Sequence, residues 1–245
     1  MVKRLVAFGD SFSDNGLSFG CGYNRLSNGL VWVEYLAKKL ELPLEDRAWC
    51  GAQSGLGNVS GSKDWSGLKW QVENYAPESG IESTLHTVLI GINDVCYGDV
   101  SPESVVENIL NALQELEEKG ARYVMLATVP DITHAPAYRT DYANIAESVR
   151  ELTYAVNTKI RALAQDATAF EKLTLYLFDA QRVFDEMIAT QAFRVMDRQW
   201  SGTYSYPDPD GYMWWDRWHP MTATHKMVAE AAYTALPQWI KKNEC

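Results

Sequence analysis

Three residues of this chain have the types and spacing of a nucleophile, a base and an acid that orients the base. Ser11 lies in Phe8-Gly9-Asp10-Ser11, near the start of the sequence, and a serine hydroxyl becomes a nucleophile once a base removes its proton. His219 is the candidate base, and Asp216 precedes it by three residues. A carboxylate at that spacing can fix the imidazole tautomer and stabilise the imidazolium. The chemistry indicated is acyl transfer through serine.

The sequence contains four histidines, so the choice of base is narrow. His86 opens an apolar run, which favours a structural role in a strand. His134 follows Val129-Pro130-Asp131 in a predicted loop, where its role stays open, and His225 falls inside the last helical pattern. His219, beside Asp216 in a tryptophan-rich segment, is the favoured base.

Each piece of this arrangement also has a purely structural interpretation. An Asp-x-x-His pair alone is typical of a helix start, with Asp216 as the cap and His219 exposed. A Gly-Asp-Ser tripeptide alone is a common turn sequence. The catalytic interpretation therefore depends on whether the fold brings the pieces together.

The elements that must position these residues are visible as apolar runs alternating with helix-period segments. Strands are predicted at Leu5–Phe8, His86–Ile90, Tyr123–Ala127 and Leu173–Phe178, and a turn is predicted at Gly91–Asp94 after the second of them. Helices are predicted at 30–40, from Pro102 after the N-cap Ser101 to the stop at Gly120, at 145–163, and at 222–241 with a disturbance at Pro237. Residues 197–213 are rich in Gly, Pro, Asp and Tyr and are predicted to form an irregular loop.

This alternation predicts an α/β fold with a mainly parallel sheet covered on both faces. In such sheets, ligands bind beyond the carboxyl ends of the strands. Asp10-Ser11, the stretch around Gly51, and Asn93-Asp94 each follow a predicted strand, so we expect them to converge at one edge. No repeat, low-complexity tract or linker divides the sequence, which favours a single domain over residues 1–245.

Four blocks of the chain resemble the motifs of the GDSL, or SGNH, hydrolases. Residues 8–16 match the block that holds the nucleophilic serine, and Ala48-Trp49-Cys50-Gly51-Ala52 matches the block whose glycine N–H helps form the oxyanion hole. Gly91-Ile92-Asn93-Asp94 matches the Gly-x-Asn-Asp block, and Asp216 to His219 matches the Asp-x-x-His block. The chain departs from the pattern at Phe12, where leucine gives the family its name, and at Cys50, where a second glycine is common.

The resemblance implies a three-layer α/β/α, flavodoxin-like fold with a five-stranded sheet, and a serine-dependent carboxylic ester hydrolase. It implies Ser11, Asp216 and His219 as catalytic residues, with the oxyanion held by the N–H groups of Ser11 and Gly51 and by the Asn93 amide. The implied reaction passes through an acyl-enzyme and needs no cofactor or metal. Two alternatives stay open: an acyltransferase that passes the acyl group to an alcohol, and a noncatalytic carbohydrate- or lipid-binding protein on the same fold.

Composition restricts the partners of this chain. The net charge is -10, from 32 acidic and 22 basic residues, which repels phosphate backbones and makes nucleic acid an unfavourable partner. We expect a small-molecule, lipid or sugar ester as substrate. Gly-x-Gly-x-x-Gly and Gly-x-x-x-x-Gly-Lys are absent from the sequence, so nucleotide binding has no support.

The cysteines and the N-terminal residues give information on the cellular compartment of the protein. Cys21, Cys50, Cys96 and Cys245 show no zinc-binding spacing, and their disulfide state stays open. The apolar run Leu5–Phe8 is too short for a signal-peptide core or a membrane span. We therefore expect a cytoplasmic protein or the mature form of a secreted one. Asn58-Val59-Ser60 is a glycosylation sequon and shifts this choice only slightly.

Overall fold

A five-stranded parallel sheet lies at the centre of the fold. The computed structural model describes residues 1–16, 25–77, 79–97, 100–200 and 209–241. The strands are β1 (Arg4–Gly9), β2 (Leu44–Asp46), β3 (Thr84–Leu89), β4 (Tyr123–Ala127) and β5 (Thr174–Phe178), in the order β2-β1-β3-β4-β5. Every neighbouring pair in this sheet is parallel. The predicted α/β class with a mainly parallel five-stranded sheet is confirmed.

Seven α-helices connect and flank the strands within the described residues. They are α1 (Trp32–Leu40), α2 (Leu68–Glu73), α3 (Ile92–Tyr97), α4 (Pro102–Glu118), α5 (Ala146–Gln165), α6 (Ala180–Ala189) and α7 (Thr222–Ala235). Helix α7 packs against α1 and α6, whereas α4 packs against α2 and α5. These two groups form the outer layers of the α/β/α arrangement. As predicted, Ser101 caps α4, with its hydroxyl accepting the Ser104 N–H at 3.1 Å.

The sheet is buried on both faces, which explains the continuous apolar runs of its central strands. Leu5, Val6, Ala7 and Phe8 of β1 are fully buried. His86 of β3 is also fully buried, between the Tyr75 hydroxyl and the Tyr123 carbonyl, each 3.3 Å from a ring nitrogen. Burial lowers the pKa of His86 to about 4, so this histidine is a neutral core residue.

Three sequence predictions are wrong in detail. Helix α7 ends at Ala235 rather than at Lys241, because the ring of Pro237 disfavours a helical conformation at the preceding residue, and Leu236 is extended. Gly91–Asp94 is not only a turn: after Gly91, α3 begins at Ile92.

The third prediction, an irregular loop over residues 197–213, is wrong at both of its ends. Strand β6 (Val195–Gln199) pairs with β7 (Tyr212–Trp214), and the Trp214 indole donates to the Met196 carbonyl at 3.1 Å. Burial of Tyr212 and Trp214 outweighs the turn-forming composition of this segment. The part of the predicted loop at 201–208 lies outside the described residues.

No helix in the described ranges has the length and apolar character needed to cross a bilayer. Cys50 and Cys96 are free thiols, whereas Cys21 and Cys245 lie outside the described residues.

Candidate active site

Ser11 follows directly after β1, at the carboxyl edge of the sheet. The chain turns sharply there, because the Asp10 carbonyl accepts the N–H groups of Ser13 and Asp14 at 3.0 Å. The Asp10 carboxylate accepts the Phe12 N–H at 3.0 Å and tightens the same turn. Gly9 lets β1 approach β3 closely, since a Cβ at this position would lie 2.3 Å from the Leu89 carbonyl oxygen. The turn leaves the Ser11 hydroxyl facing a cavity.

The structure brings Ser11, His219 and Asp216 into one hydrogen-bonded chain. The Ser11 hydroxyl donates to Nε2 of His219 at 3.0 Å, and Nδ1–H of His219 donates to the Asp216 carboxylate at 2.8 and 3.0 Å. Burial raises the pKa of Asp216, but the hydrogen bonds and charge of His219 outweigh this and hold it below its usual value. Asp216 is therefore ionised at neutral pH and can stabilise an imidazolium.

The Asp216–His219 pair does not lie on a helix. Residues 215–218 form bends, and the Asp216 carboxylate closes the turn by accepting the backbone N–H groups of Trp218 and His219, both at 2.7 Å. The interpretation as a helix start is therefore wrong. Because the carboxylate is fixed by these N–H groups, it presents its oxygens to the imidazole in a defined orientation.

The same Asp-x-x-His spacing occurs at Asp131 and His134, where it produces a different structure. The Asp131 carboxylate accepts from the Thr133 N–H and from the Arg150 guanidinium, and His134 does not line the cavity beside Ser11. His225 is fully buried in α7, and burial lowers its pKa to about 3. His219 is the histidine that reaches the serine.

The two other oxyanion candidates, Gly51 and Asn93, line the same cavity as Ser11 and His219. One amide hydrogen of Asn93 is donated to the Ala52 carbonyl at 2.9 Å, which orients the side chain. An amide has two hydrogens, so the second can be donated to a substrate oxygen. Four of the five residues predicted from the sequence thus line one cavity, and the fifth, Asp216, is hydrogen-bonded to His219 behind it.

Gly51 has a conformation that favours glycine. Its φ is +79°, and a Cβ on this residue would lie 2.5 Å from Oδ1 of Asn58. Asn58 is buried and donates both amide hydrogens, to the Cys50 carbonyl and to the Ser66 hydroxyl, each at 2.8 Å. These hydrogen bonds fix the position of the Cys50–Gly51 peptide, which carries the candidate oxyanion N–H. The role of Asn58 was not predicted, because the only signal at this position was the sequon.

Buried carboxylates connect the blocks to one another. Asp14 accepts the Cys50 N–H at 2.8 Å, which links the serine turn to the glycine segment. Asp94 accepts from both the N–H and the hydroxyl of Ser54, at 2.7 to 3.1 Å. These contacts hold residues 50–54 against Ser11 on one side and Asn93 on the other.

Asp10 is a different case, because one of its carboxylate oxygens has no hydrogen-bond partner among the described residues and the residue is fully buried. Burial, together with the charges of Asp94 and Asp14, outweighs the Phe12 N–H and raises the pKa of Asp10 to about 7. This carboxyl group beside the serine therefore titrates near neutral pH.

The cavity at Ser11 has a volume of about 140 Å³. Ser11, His219 and the oxyanion candidates form its polar edge. Its wall is mainly apolar and is formed by Phe12, Val59, Ile92, Ile132 and Trp218. In the part of the chain that the structure describes, no cluster of histidine, cysteine, aspartate and glutamate side chains could hold a metal ion. The arrangement is suited to serine acylation next to a small apolar compartment.

The family model of the GDSL-like lipases and acylhydrolases matches residues 5–232. The chain belongs to this family of lipases and acylhydrolases. The resemblance inferred from the four sequence blocks is confirmed.

The chain is similar to three relatives. It is 29% identical, over 94% of its length, to the thermolabile hemolysin of Vibrio parahaemolyticus, and it spans 62% of that protein. It is 26% identical to the acetylesterase of Thermothelomyces thermophilus, over 96% of the chain and 88% of the relative. It is 22% identical to the phosphatidylcholine-sterol acyltransferase of Aeromonas hydrophila, over 95% of the chain and 89% of the relative.

Solved structures share the fold. A lipolytic protein of the G-D-S-L family from Veillonella parvula superposes with a TM-score of 0.58 at 15% identity, covering 95% of this chain and 97% of that one. An aryl esterase from M. smegmatis superposes with a TM-score of 0.56 at 17% identity, covering 95% and 98%. At such identities the likeness concerns the fold alone.

Proposed function

We propose that this protein hydrolyses carboxylic esters through an acyl-enzyme on Ser11, with His219 as general base and Asp216 as its orienting acid. The observation that carries the proposal is the continuous chain of hydrogen bonds from the Ser11 hydroxyl through His219 to Asp216. Such a chain lowers the barrier to removing the serine proton, because the imidazolium forms beside an ionised carboxylate.

The reaction has two halves. Ser11 Oγ attacks the ester carbonyl carbon while Nε2 of His219 takes its proton, and the oxyanion is held by the N–H groups of Ser11 and Gly51 and by the free Asn93 amide hydrogen. His219 then gives the proton to the leaving alcohol, and the acyl group stays on Ser11. Water, deprotonated by His219, attacks the acyl-enzyme and releases the acid and the free serine.

The test compares the wild type with Ser11→Ala on p-nitrophenyl esters of different acyl length. Loss of the nucleophile is expected to lower kcat by roughly 10⁴-fold or more, to the level of oxyanion and binding effects alone. Ser13→Ala is the matched control, since this nearby buried hydroxyl accepts the Trp32 indole N–H and does not line the cavity. Equal rates for wild type and Ser11→Ala would refute the nucleophile assignment.

Formation of the acyl-enzyme needs its own measurement. Quenching the wild type in the first turnover with p-nitrophenyl butanoate should give a protein whose mass has increased by one butanoyl group. Peptide mapping should place this group on Ser11, and the Ser11→Ala protein should stay unmodified. Steady turnover without a modified Ser11 peptide, under conditions that trap a reference serine esterase, would contradict the covalent mechanism.

A second candidate function is transfer of the acyl group to an alcohol, which the similarity to the Aeromonas hydrophila acyltransferase favours. The acyl-enzyme is the same, and only the acceptor differs. Product analysis with and without added alcohols separates the two functions: a new ester formed at the expense of free acid indicates transfer. A wild type that turns over no ester of any chain length would instead favour the noncatalytic binding protein.

A further inference from the structure

The cavity beside Ser11 is small. Its volume of about 140 Å³ is close to that of an apolar cavity that holds one benzene molecule, roughly 150 Å³, and below the roughly 300–1,000 Å³ typical of drug-sized ligands. Part of this space must hold the ester carbonyl itself, so room remains for about three or four further carbons. A long fatty acyl chain does not fit inside.

Other side chains pack behind the wall of the cavity, so the wall cannot move outward without displacing them. Trp218 lines the cavity, and its ring packs on Tyr138 and Tyr142 with centroids 5.4 and 5.1 Å apart. Tyr138 is buried, as are Ile92 and Ile132 elsewhere in the wall. Close-packed aromatic and branched side chains transmit strain rather than yield to it.

The position of Trp218 is also fixed along the chain. Its backbone N–H is bound by the Asp216 carboxylate, and the carbonyl of the neighbouring Arg217 accepts the Ala137 N–H at 3.1 Å. The turn that holds the candidate base therefore also holds the cavity wall. Movement of Trp218 to admit a longer chain would disturb the bond between Asp216 and His219.

We propose that this cavity is an acyl pocket of fixed length and that the protein acts on esters of short acids, from acetyl to about butanoyl. The inference rests on the proposed function. The cavity suits the acyl group rather than the alcohol, because the acyl group stays on Ser11 through both halves of the reaction. The alcohol must leave and be replaced by water, which is easiest at the open side, where Val59 and Tyr97 are 40% and 49% exposed.

The first experiment measures kcat/KM for p-nitrophenyl acetate, butanoate, hexanoate and octanoate at concentrations where each ester is monomeric. Octanoate is expected to be slower than butanoate by about tenfold or more, since methylenes without room in a pocket lower discrimination constants by such factors. A parallel series of acetate esters with increasingly large alcohols should show no comparable decline. A decline in the alcohol series instead would overturn the acyl assignment of the cavity.

The second experiment enlarges the pocket. Trp218→Ala removes the indole that separates the cavity from Tyr138 and Tyr142, and it should raise the octanoate-to-butanoate ratio of kcat/KM by about tenfold. Trp215→Ala is the matched control, because this tryptophan lies in the same turn, packs on Trp200 and does not line the cavity. Ile132→Ala enlarges the pocket from another side. If Trp218→Ala disturbs His219, this variant tests whether a larger pocket accepts longer acyl chains.

The outcomes separate this inference from the proposed function. Octanoate hydrolysis equal to or faster than that of butanoate by the wild type would overturn the short pocket while leaving a serine esterase. An unchanged chain-length profile in both Trp218→Ala and Ile132→Ala would also overturn it. Failure of the proposed function would look different, because the wild type would then hydrolyse none of the esters or would match Ser11→Ala.

Discussion

Replacement of Gly51 by alanine tests the oxyanion assignment where the structure is most restrictive. The new Cβ would lie 2.5 Å from Oδ1 of Asn58, far inside contact distance, so either the peptide at residue 51 or the Asn58 side chain must move. Movement of Asn58 breaks its bonds to the Cys50 carbonyl and the Ser66 hydroxyl. Movement of the peptide turns the N–H of residue 51 away from the substrate.

The magnitude follows from these two costs. A non-glycine residue at positive φ costs roughly 1–2 kcal/mol, and two broken hydrogen bonds add about 1 kcal/mol each, so Gly51→Ala should lower the free energy of unfolding by about 3–4 kcal/mol. If the candidate oxyanion N–H is displaced, kcat should fall by roughly 10²–10³, as for loss of one oxyanion donor, with KM changed far less.

Gly61 supplies the matched control within the same loop. Its φ is +102°, but a Cβ there meets no atom of the part of the chain that the structure describes within 4 Å, so Gly61→Ala carries the backbone strain without the clash. We expect it to lower stability by roughly 1–2 kcal/mol and to leave kcat within about threefold of the wild type.

The assay is hydrolysis of p-nitrophenyl acetate, with urea unfolding of each variant. Equal losses of kcat in Gly51→Ala and Gly61→Ala would refute the reasoning, since backbone strain would then explain both. A double-mutant cycle adds a further check: in an Asn58→Ala background the clash is absent, so the effect of Gly51→Ala should shrink towards that of Gly61→Ala.

Three further changes have defined outcomes. Asn93→Ala should lower kcat for p-nitrophenyl acetate by roughly 10²–10³ with little change in KM, and a circular dichroism spectrum unlike that of the wild type would show misfolding instead. Asp216→Asn should lower kcat by roughly 10⁴, because an amide no longer fixes the imidazole tautomer, and a loss of less than tenfold would exclude Asp216 as the orienting acid. Asp10→Asn concerns stability, because the pKa of Asp10 is raised to about 7 in the folded protein. The protonated carboxyl of the wild type makes its full contribution to the free energy of unfolding below the unfolded pKa of 3.8, and this contribution is lost as pH rises towards 7. Between about pH 4 and pH 8 the asparagine variant should therefore gain a few kcal/mol of unfolding free energy relative to the wild type, at about 1.4 kcal/mol per pKa unit. Urea unfolding that shows no pH-dependent difference between the two proteins would contradict the titration of Asp10.

The parts of the fold that follow from local pattern were predictable. Leu5–Phe8 is a fully buried parallel strand and therefore an unbroken apolar run, and the Ser101-Pro102 pair marks the start of α4 in the sequence. The site residues could be proposed for the same reason, since Ser11 and Asn93 come directly after such strands.

Contacts between distant segments were not predictable, because neither periodicity nor composition encodes them. The Asp14 carboxylate meets the Cys50 N–H across 36 positions, and the Asp94 carboxylate meets Ser54 across 40. The pairing of β6 with β7 was missed for a related reason: turn-forming residues dominate the segment, and burial of Trp214 becomes visible only in the folded chain.

The hydrogen bonds made by the Asn58 side chain have a practical consequence for producing this protein. Asn58-Val59-Ser60 is an acceptor sequence for N-linked glycans, yet in the folded chain both amide hydrogens of Asn58 are engaged and the side chain is only 4% exposed. A sugar attached to the nascent chain in a eukaryotic secretory host would occupy the space beneath Gly51 and prevent the loop from closing. Ser60 is exposed, and Ser60→Ala removes the acceptor sequence while keeping the backbone N–H that Asn58 binds, so it should restore activity to material made in such a host.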